Sequence, residues 1–239
     1  DTDRSDLDLV GLQNELIRKV AASGKPTILI LVNGRPLGVE WAAEHLPAIV
    51  EAWAPGMYAG QAVAEILYGK VNPSAKLAIT IPRSVGQLQM IYNHKPSQYF
   101  HPYAVKPSTP LWPFRYRLSY TTYKYDDLKL SAKEVSQNQN VEVSVKVTNT
   151  GQRDGVEIVQ LYIRDKYSSV TRPVKELKDF ARVALKAGES KVVTFTITPD
   201  KLAFYDKKMK WIVEPGEFVV MTGASSADES LLKETFILK

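Results

Sequence analysis

The feature that most constrains this chain is a change of hydrophobic period near residue 120. Before it, apolar residues recur at helical spacing or in solid runs; after it they alternate one by one. Leu9, Leu12, Leu16 and Val20 share one helical face, with Ile17 and Ala21 widening the stripe. Asp8 is placed to cap that helix, and Gly24 followed by Pro26 to end it. Thr27–Val32 (TILILV) is a solid aliphatic run, the pattern of a parallel strand buried on both faces. A turn at Asn33-Gly34-Arg35-Pro36 then leads to a short helix over Val39–His45 and a strand over Ala48–Trp53. A helix over Tyr58–Tyr68 and a third strand over Lys76–Ile81 complete the series. Right-handed crossovers and a mostly parallel α/β sheet follow from this order.

Three strands make a narrow sheet, and the chain opens on a helix with no strand before it. A sheet apolar on both faces cannot stop there without exposing an edge and apolar surface. The expectation is therefore the C-terminal half of an α/β domain that has lost partner strands upstream of Asp1. Val85–Pro113, rich in Pro, Tyr and His, reads as an irregular surface connection. Beyond it, Val141, Val143, Val145 and Val147 alternate with polar residues and end in the turn Asn149-Thr150-Gly151. Further strands are expected over 123–130, 156–163, 180–185, 191–197, 210–213, 217–222 and 234–238, the pattern of a β-sandwich. The expected domains are 1–84 (α/β part), 85–119 (connector) and 120–239 (sandwich).

Composition removes several function classes. Without cysteine, the chain offers no thiolate catalysis, cysteine zinc site or disulfide. Its net charge of +5 is spread, with 12 Lys and Arg against 9 Asp and Glu up to residue 119 and 19 against 17 beyond. The densest basic cluster, Lys207-Lys208-Met209-Lys210, reads as a solvated turn, and no nucleic-acid module accompanies it. No apolar run approaches the roughly 20 residues of a membrane span.

Glu40 and Glu44 lie four apart on one helical face and read as solvated. Asp126-Asp127 reads as a turn between β segments. Glu51, inside an apolar strand, is the more interesting carboxylate, with a structural salt bridge or the strand's exposed end favoured over catalysis. His45, His94 and His101 are not at metal-ligand spacing. On the connector, His94 and His101 with Tyr92, Tyr99, Phe100 and Tyr103 suit either packing or approach to a sugar ring. Gly56-Met57-Tyr58-Ala59-Gly60 lacks the further glycine of a nucleotide-binding turn.

Several stretches, in order, resemble family 3 glycoside hydrolases, which include β-glucosidases and β-xylosidases. They are Asp3–Leu9 with Gln13–Leu16, Asn33–Leu37, Ala48–Trp53 with Pro55-Gly56 and Gly60, Gly69–Ser74, Lys76-Leu77 and Pro82–Leu88. Leu118–Thr121, Asn149–Gly151, Gln160–Tyr162, Arg172–Leu177 and Glu214–Phe218 continue the likeness into a fibronectin-III-like (Ig-like) sandwich. The family pattern has glycine on both sides of Tyr116 where this chain carries Arg115 and Arg117, so a positive φ at either would strain it.

The resemblance implies a parent enzyme that releases terminal β-linked glucose or xylose from oligosaccharides with retention. It implies an aspartate nucleophile on an N-terminal barrel and a glutamate acid/base shortly before Asp1. On that reading no catalytic residue lies in this chain, its substrate-binding residues are unassigned, and no metal or cofactor is required. Its partners would be the barrel, the rest of the α/β domain and the oligosaccharide, in a periplasmic or secreted enzyme. The alternative is a non-catalytic carbohydrate-binding or scaffold module, for which an exposed aromatic platform drawn from Tyr162, Tyr167, Phe204, Tyr205 and Trp211 would speak.

Overall fold

A computed structural model describes residues 4–96 and 103–239. The chain divides into two compact units: residues 1–71, 78–90 and 101–113, and residues 72–77, 91–100 and 114–239.

In the first unit the elements run α1 (Gln13–Ala21), β1 (Ile28–Val32), α2 (Glu40–His45), β2 (Ala48–Trp53) and α3 (Ala59–Leu67). The two strands pair in parallel, Ile28 opposite Ala48 through Leu31 opposite Glu51. Asp8 does not cap α1; Leu12 stands at that position without a side-chain hydrogen bond, and Asp8 instead follows a turn held by Asp6. Gly24, at φ +72°, lies just beyond the helix end, where a left-handed residue costs glycine nothing.

The solid run of β1 is covered on one face only. Leu31 is buried and Leu29 packs with Ile17 of α1, Trp41 and Ala42 of α2, and Ile49. Ile28, Ile30 and Val32 on the other face are exposed, Val32 at 67%. Leu12, Leu16 and Val20 are exposed too, so of the predicted apolar face only Leu9, just before α1, and Ile17 join this core.

The expected strand over Lys76–Ile81 does not form. Ile81 makes a single antiparallel bridge with Trp112, and Asn72–Leu77 belongs to the other unit. The reason is competition for hydrogen bonds. Leu77 exchanges backbone bonds with Tyr116 and Arg115 at 3.0 and 2.9 Å, so its amide and carbonyl are not available to a β1–β2 ladder. The connector is irregular, as read, but not merely superficial. Gln87 of a single 3-10 turn is buried, and its amide donates to the carbonyls of Pro107 and Thr109.

The second unit is a two-layer sandwich. One layer orders β4 (Glu134–Val135), β12 (Leu231–Leu238), β11 (Gly216–Gly223), β6 (Gly155–Asp165) and β7 (Glu176–Leu185). The other orders β3 (Tyr123–Leu130), β5 (Val141–Asn149) and β8 (Ser190–Ile197). A one-turn helix, α4 (Pro199–Leu202), precedes a separate hairpin of β9 (Phe204–Tyr205) and β10 (Trp211–Ile212). The alternating valines of β5 all face inward, each at most 1% exposed, against Val159, Leu161, Ile163, Phe218, Val220 and Phe236. β6 is central and buried on both faces. Its outer face sets Tyr162 against Phe114, Met221 and Leu231. Asp126-Asp127 is no turn between strands but a bulge within β3, with Asp127 at φ +53°.

Asn149 ties the β5–β6 turn. Its side chain, fully buried, accepts from Thr121 Oγ1 and the Gly151 amide and donates to the carbonyls of Arg153 and Leu185. At the far end of β11, a Cβ on Gly223 would stand 2.3 Å from the Ser230 carbonyl oxygen. Because that neighbour is backbone, in the 3-10 turn just before β12, Gly223→Ala is expected to cost about 1–3 kcal/mol, read from urea unfolding of the chain followed by circular dichroism.

Candidate functional site

Ligands of open α/β sheets gather beyond the carboxyl ends of the strands. There, in the first unit, Asn33-Gly34-Arg35 leaves β1 and Trp53 ends β2. Asn33 Nδ2 donates to both oxygens of Glu51, at 3.0 and 3.2 Å, and the Trp53 amide donates to Oε1 at 3.1 Å. This clasp holds Trp53 at φ +52°, a conformation that costs a bulky residue about 1 kcal/mol or more. Half-burial pushes the Glu51 carboxyl above its ordinary range, while Asn33 and the Trp53 amide oppose the shift. The Asn33 carbonyl group of the side chain accepts from the Arg35 amide, and the Arg35 guanidinium reaches the Asp6 carbonyl at 3.4 Å. Asn33, Gly34 and Arg35 border an open depression of about 830 Å³ lined also by Arg4, Leu9, Gln13 and Leu37. Chemically it offers the guanidinium groups of Arg4 and Arg35 and the side-chain amides of Gln13 and Asn33, donors suited to hydroxyl or anionic oxygens.

The other carboxylates are engaged elsewhere. Glu40 accepts from Arg83 at 3.2 Å and from Lys106, and the Lys106 bond, opposed by burial, holds its carboxyl below the usual range. Glu44 is exposed. His45 stacks on Trp41 at 4.3 Å and bonds its carbonyl. His94 Nδ1 lies 3.0 Å from the Lys95 carbonyl, and Tyr103 donates to the Gly86 carbonyl. Tyr92 is a packing residue, stacked on Phe114 at 4.1 Å, with its hydroxyl accepting from the Leu177 amide. Tyr99, Phe100 and His101 lie outside the described residues. Among the described residues no group of three or more His, Asp or Glu could hold a metal ion.

The second unit holds a charged cluster that sequence reading missed. Glu157, on β6, is 2% exposed and accepts from Lys76 at 2.6 Å, Arg117 at 2.5 Å and Tyr125 at 2.8 Å. Lys76 also donates to the Ala224 carbonyl, and Arg117 to the carbonyls of Pro73 and Val156. Asn72 extends the attachment by accepting from Ser119 Oγ and the Tyr120 amide. Burial, reinforced by Glu157, pushes Tyr125 well above its usual range, so its hydroxyl remains a donor. Of the two arginines, only Arg115 adopts a positive φ, +65°, with its guanidinium over the Phe114 ring at 4.8 Å. Arg117 keeps an ordinary backbone and serves Glu157. The signal available in sequence was the one charged residue within the mostly apolar VEIVQLYI run.

Of the candidate platform aromatics, Tyr162 and Phe204 are buried, whereas Tyr167, Tyr205 and Trp211 are exposed.

Residues 1–120 match the glycosyl hydrolase family 3 C-terminal domain, and residues 157–226 the fibronectin type III-like domain. The chain belongs to glycosyl hydrolase family 3. It is 45% identical to a β-xylosidase of Formosa agariphila over 99% of its length and 33% of that relative's. It is 42% identical to a periplasmic β-glucosidase of Salmonella typhimurium, over 94% of the chain and 31% of the relative. A β-glucosidase structure from Erythrobacter marinus superposes with a TM-score of 0.96 at 44% identity, covering all of this chain and 31% of that one. The chain thus spans about a third of the length of the curated relatives it matches.

Two consequences of the Glu157 cluster can be measured by urea unfolding. Glu157→Gln leaves two buried cations facing no counter-charge and is expected to cost about 3–5 kcal/mol. Lys76→Met should cost less, because Glu157 keeps Arg117 and Tyr125, and the Ala224 carbonyl keeps the Gln160 amide at 2.7 Å. Burial pulls Lys76 down to about 8 from 10.5, against the pull of Glu157. Between those values the unfolded chain binds a proton that the folded chain has released, so stability rises with pH there. The penalty for the buried charge is whole below about pH 8. Lys76→Met should remove that rise between pH 8 and 10.

Proposed function

We propose that this chain is the C-terminal third of a retaining, exo-acting glycoside hydrolase that releases terminal β-linked glucose or xylose from oligosaccharides. The observation that carries the reading is likeness along nearly the whole chain to proteins named β-xylosidase and β-glucosidase. In the intact protein the nucleophile and the acid/base lie upstream of Asp1, and this chain braces them. The placement of its own carboxylates supports that division. Glu40 is committed to Arg83 and Lys106, Glu51 to Asn33 and the Trp53 amide, and Glu157 to two buried cations. A retaining pair needs two carboxyl groups about 5–5.5 Å apart on either side of the sugar bond.

The uncovered face of β1 fits the same reading. Ile28, Ile30 and Val32 form a row that would be covered by the remainder of the α/β domain. A periplasmic or secreted location is supported by the relative named as periplasmic.

The chain alone is expected to show no turnover of aryl β-glucosides or β-xylosides above buffer. The chain joined to its upstream residues should hydrolyse one of them, with the first-formed sugar retaining its anomeric configuration by NMR. Hydrolysis by the isolated chain that survives Glu44→Gln and Glu51→Gln would refute the assignment of the chemistry to the upstream part.

A further inference from the structure

The β9–β10 hairpin leaves two large aromatics open to water beside each other. Its two register pairs face opposite ways: Phe204 and Ile212 turn inward, Tyr205 and Trp211 outward. Phe204 is 5% exposed beneath the guanidinium of Arg172, 4.5 Å from its ring centre. Tyr205 and Trp211 are 56% and 53% exposed. Their ring centres are 4.8 Å apart with planes at 57°, so the rings touch without covering each other's faces. Large aromatics held in contact and left open to water are uncommon outside recognition surfaces.

The turn that presents them is firmly tied. The Asp206 carboxylate accepts from the amides of Lys208 and Lys210, both at 2.8 Å. Its own amide donates to the Lys210 carbonyl, and the Met209 amide to the Asp206 carbonyl. The single acid of the hairpin is thereby used to shape the turn. Lys207, Lys208 and Lys210 are all exposed and form no ion pair among the described residues, unlike Lys166, Lys175, Lys201 and Lys233 of the same unit. Three exposed lysines thus share one tied turn with the two open aromatic rings.

We propose that this hairpin docks an acidic polysaccharide. Sugar rings lie with their C–H faces on Tyr205 and Trp211, while carboxylates along the polymer meet Lys207, Lys208 and Lys210. The two kinds of contact favour such a chain over either alternative. A neutral glycan would leave the cations without partners. A bilayer would meet the lysine-rich tip before the rings, which sit at the neck of the hairpin in its two-residue ladder. The proposal rests on the reading that the parent protein works on glycans, and it deepens that reading by naming a polymer class that the sandwich would hold.

Affinity electrophoresis and calorimetry of the whole 239-residue chain on polygalacturonate and on its methyl-esterified form test this. Polygalacturonate should retard the chain, and the esterified polymer should bind at least about tenfold more weakly. Trp211→Ala and Tyr205→Ala should each weaken binding about tenfold with an unchanged circular dichroism spectrum. The triple change Lys207→Gln, Lys208→Gln, Lys210→Gln lies wholly in the exposed turn, and it should abolish the salt dependence of binding. No retardation, equal affinity for both polymers, or binding indifferent to both aromatic substitutions would overturn the proposal. So would co-sedimentation with phosphatidylserine vesicles that depends on Trp211 in the absence of polygalacturonate binding. Aryl-glycoside turnover by the intact parent without polymer binding would refute this proposal alone; polymer binding without turnover would refute the glycosidase reading alone.

Discussion

One buried carboxylate organises the sandwich unit. Glu157 takes hydrogen bonds from Lys76, Arg117 and Tyr125, three side chains drawn from separate stretches of the chain. Desolvating a carboxylate and two cations is costly, and in many proteins an apolar trio of the same volume would be as stable or more so. What apolar residues would not supply is direction. Lys76 and Arg117 each divide their donors between Glu157 and backbone carbonyls, so a slip of one residue in the strap Asn72–Leu77 would break several bonds at once and leave a charge buried alone. The attachments around the cluster repeat the restriction. Pro73 receives Arg117 through its carbonyl, Asn72 receives Ser119 and Tyr120, and Leu77 exchanges bonds with Arg115 and Tyr116. Register, more than cohesion, is what the ion cluster contributes.

The same attachments explain why the first unit has two strands instead of three. Lys-Leu-Ala-Ile-Thr-Ile has the alternation of a strand, and nothing local disqualifies it. Yet a strand needs backbone partners along its length, and Leu77 has already given its amide and carbonyl to the 115–116 stretch. Ile81 alone pairs, with Trp112. Propensity suggested a strand, but the segment bends at Ala78 and Ile79. Long-range side-chain chemistry decided which neighbours it met.

Where the hydrophobic pattern involved only near neighbours, the sequence was readable. The alternating valines of β5, the buried run of β6 and the parallel pair β1–β2 appear at the expected places, within a residue or two at their ends. The narrowness of the α/β sheet was also legible, because TILILV demands cover on two faces and the chain supplies helices for one. Short ladders escaped, since Glu134–Val135 and Phe204–Tyr205 are too brief to show a period. For the site, a salt bridge or an exposed strand end was expected at Glu51; it is partly buried and held instead by Asn33 and the Trp53 amide, neutral partners that strand periodicity does not reveal. Glu157 was passed over because a glutamate in an apolar strand has no visible partner until residues some 40 and 80 positions away are brought to it.

The two arginines flanking Tyr116 show the limit of reading a substitution by residue type. Both stand where the family pattern has glycine, and backbone strain was the natural concern for each. Only Arg115 occupies the left-handed region, where an L-residue pays about 1 kcal/mol relative to glycine. Its guanidinium lies over Phe114, a contact of about the same size that offsets the strain. Arg117 has no such strain and is instead the second cation on Glu157. A glycine there would leave Lys76 as the sole charged partner of that carboxylate. The cluster would then carry no net charge, whereas with Arg117 it carries one positive charge in excess. Burial of that excess, together with the two neighbouring guanidinium groups, acts against the Lys76 ammonium. Lys76, which anchors the strap, therefore also responds to what occupies positions 115 and 117, about 40 residues further along the chain.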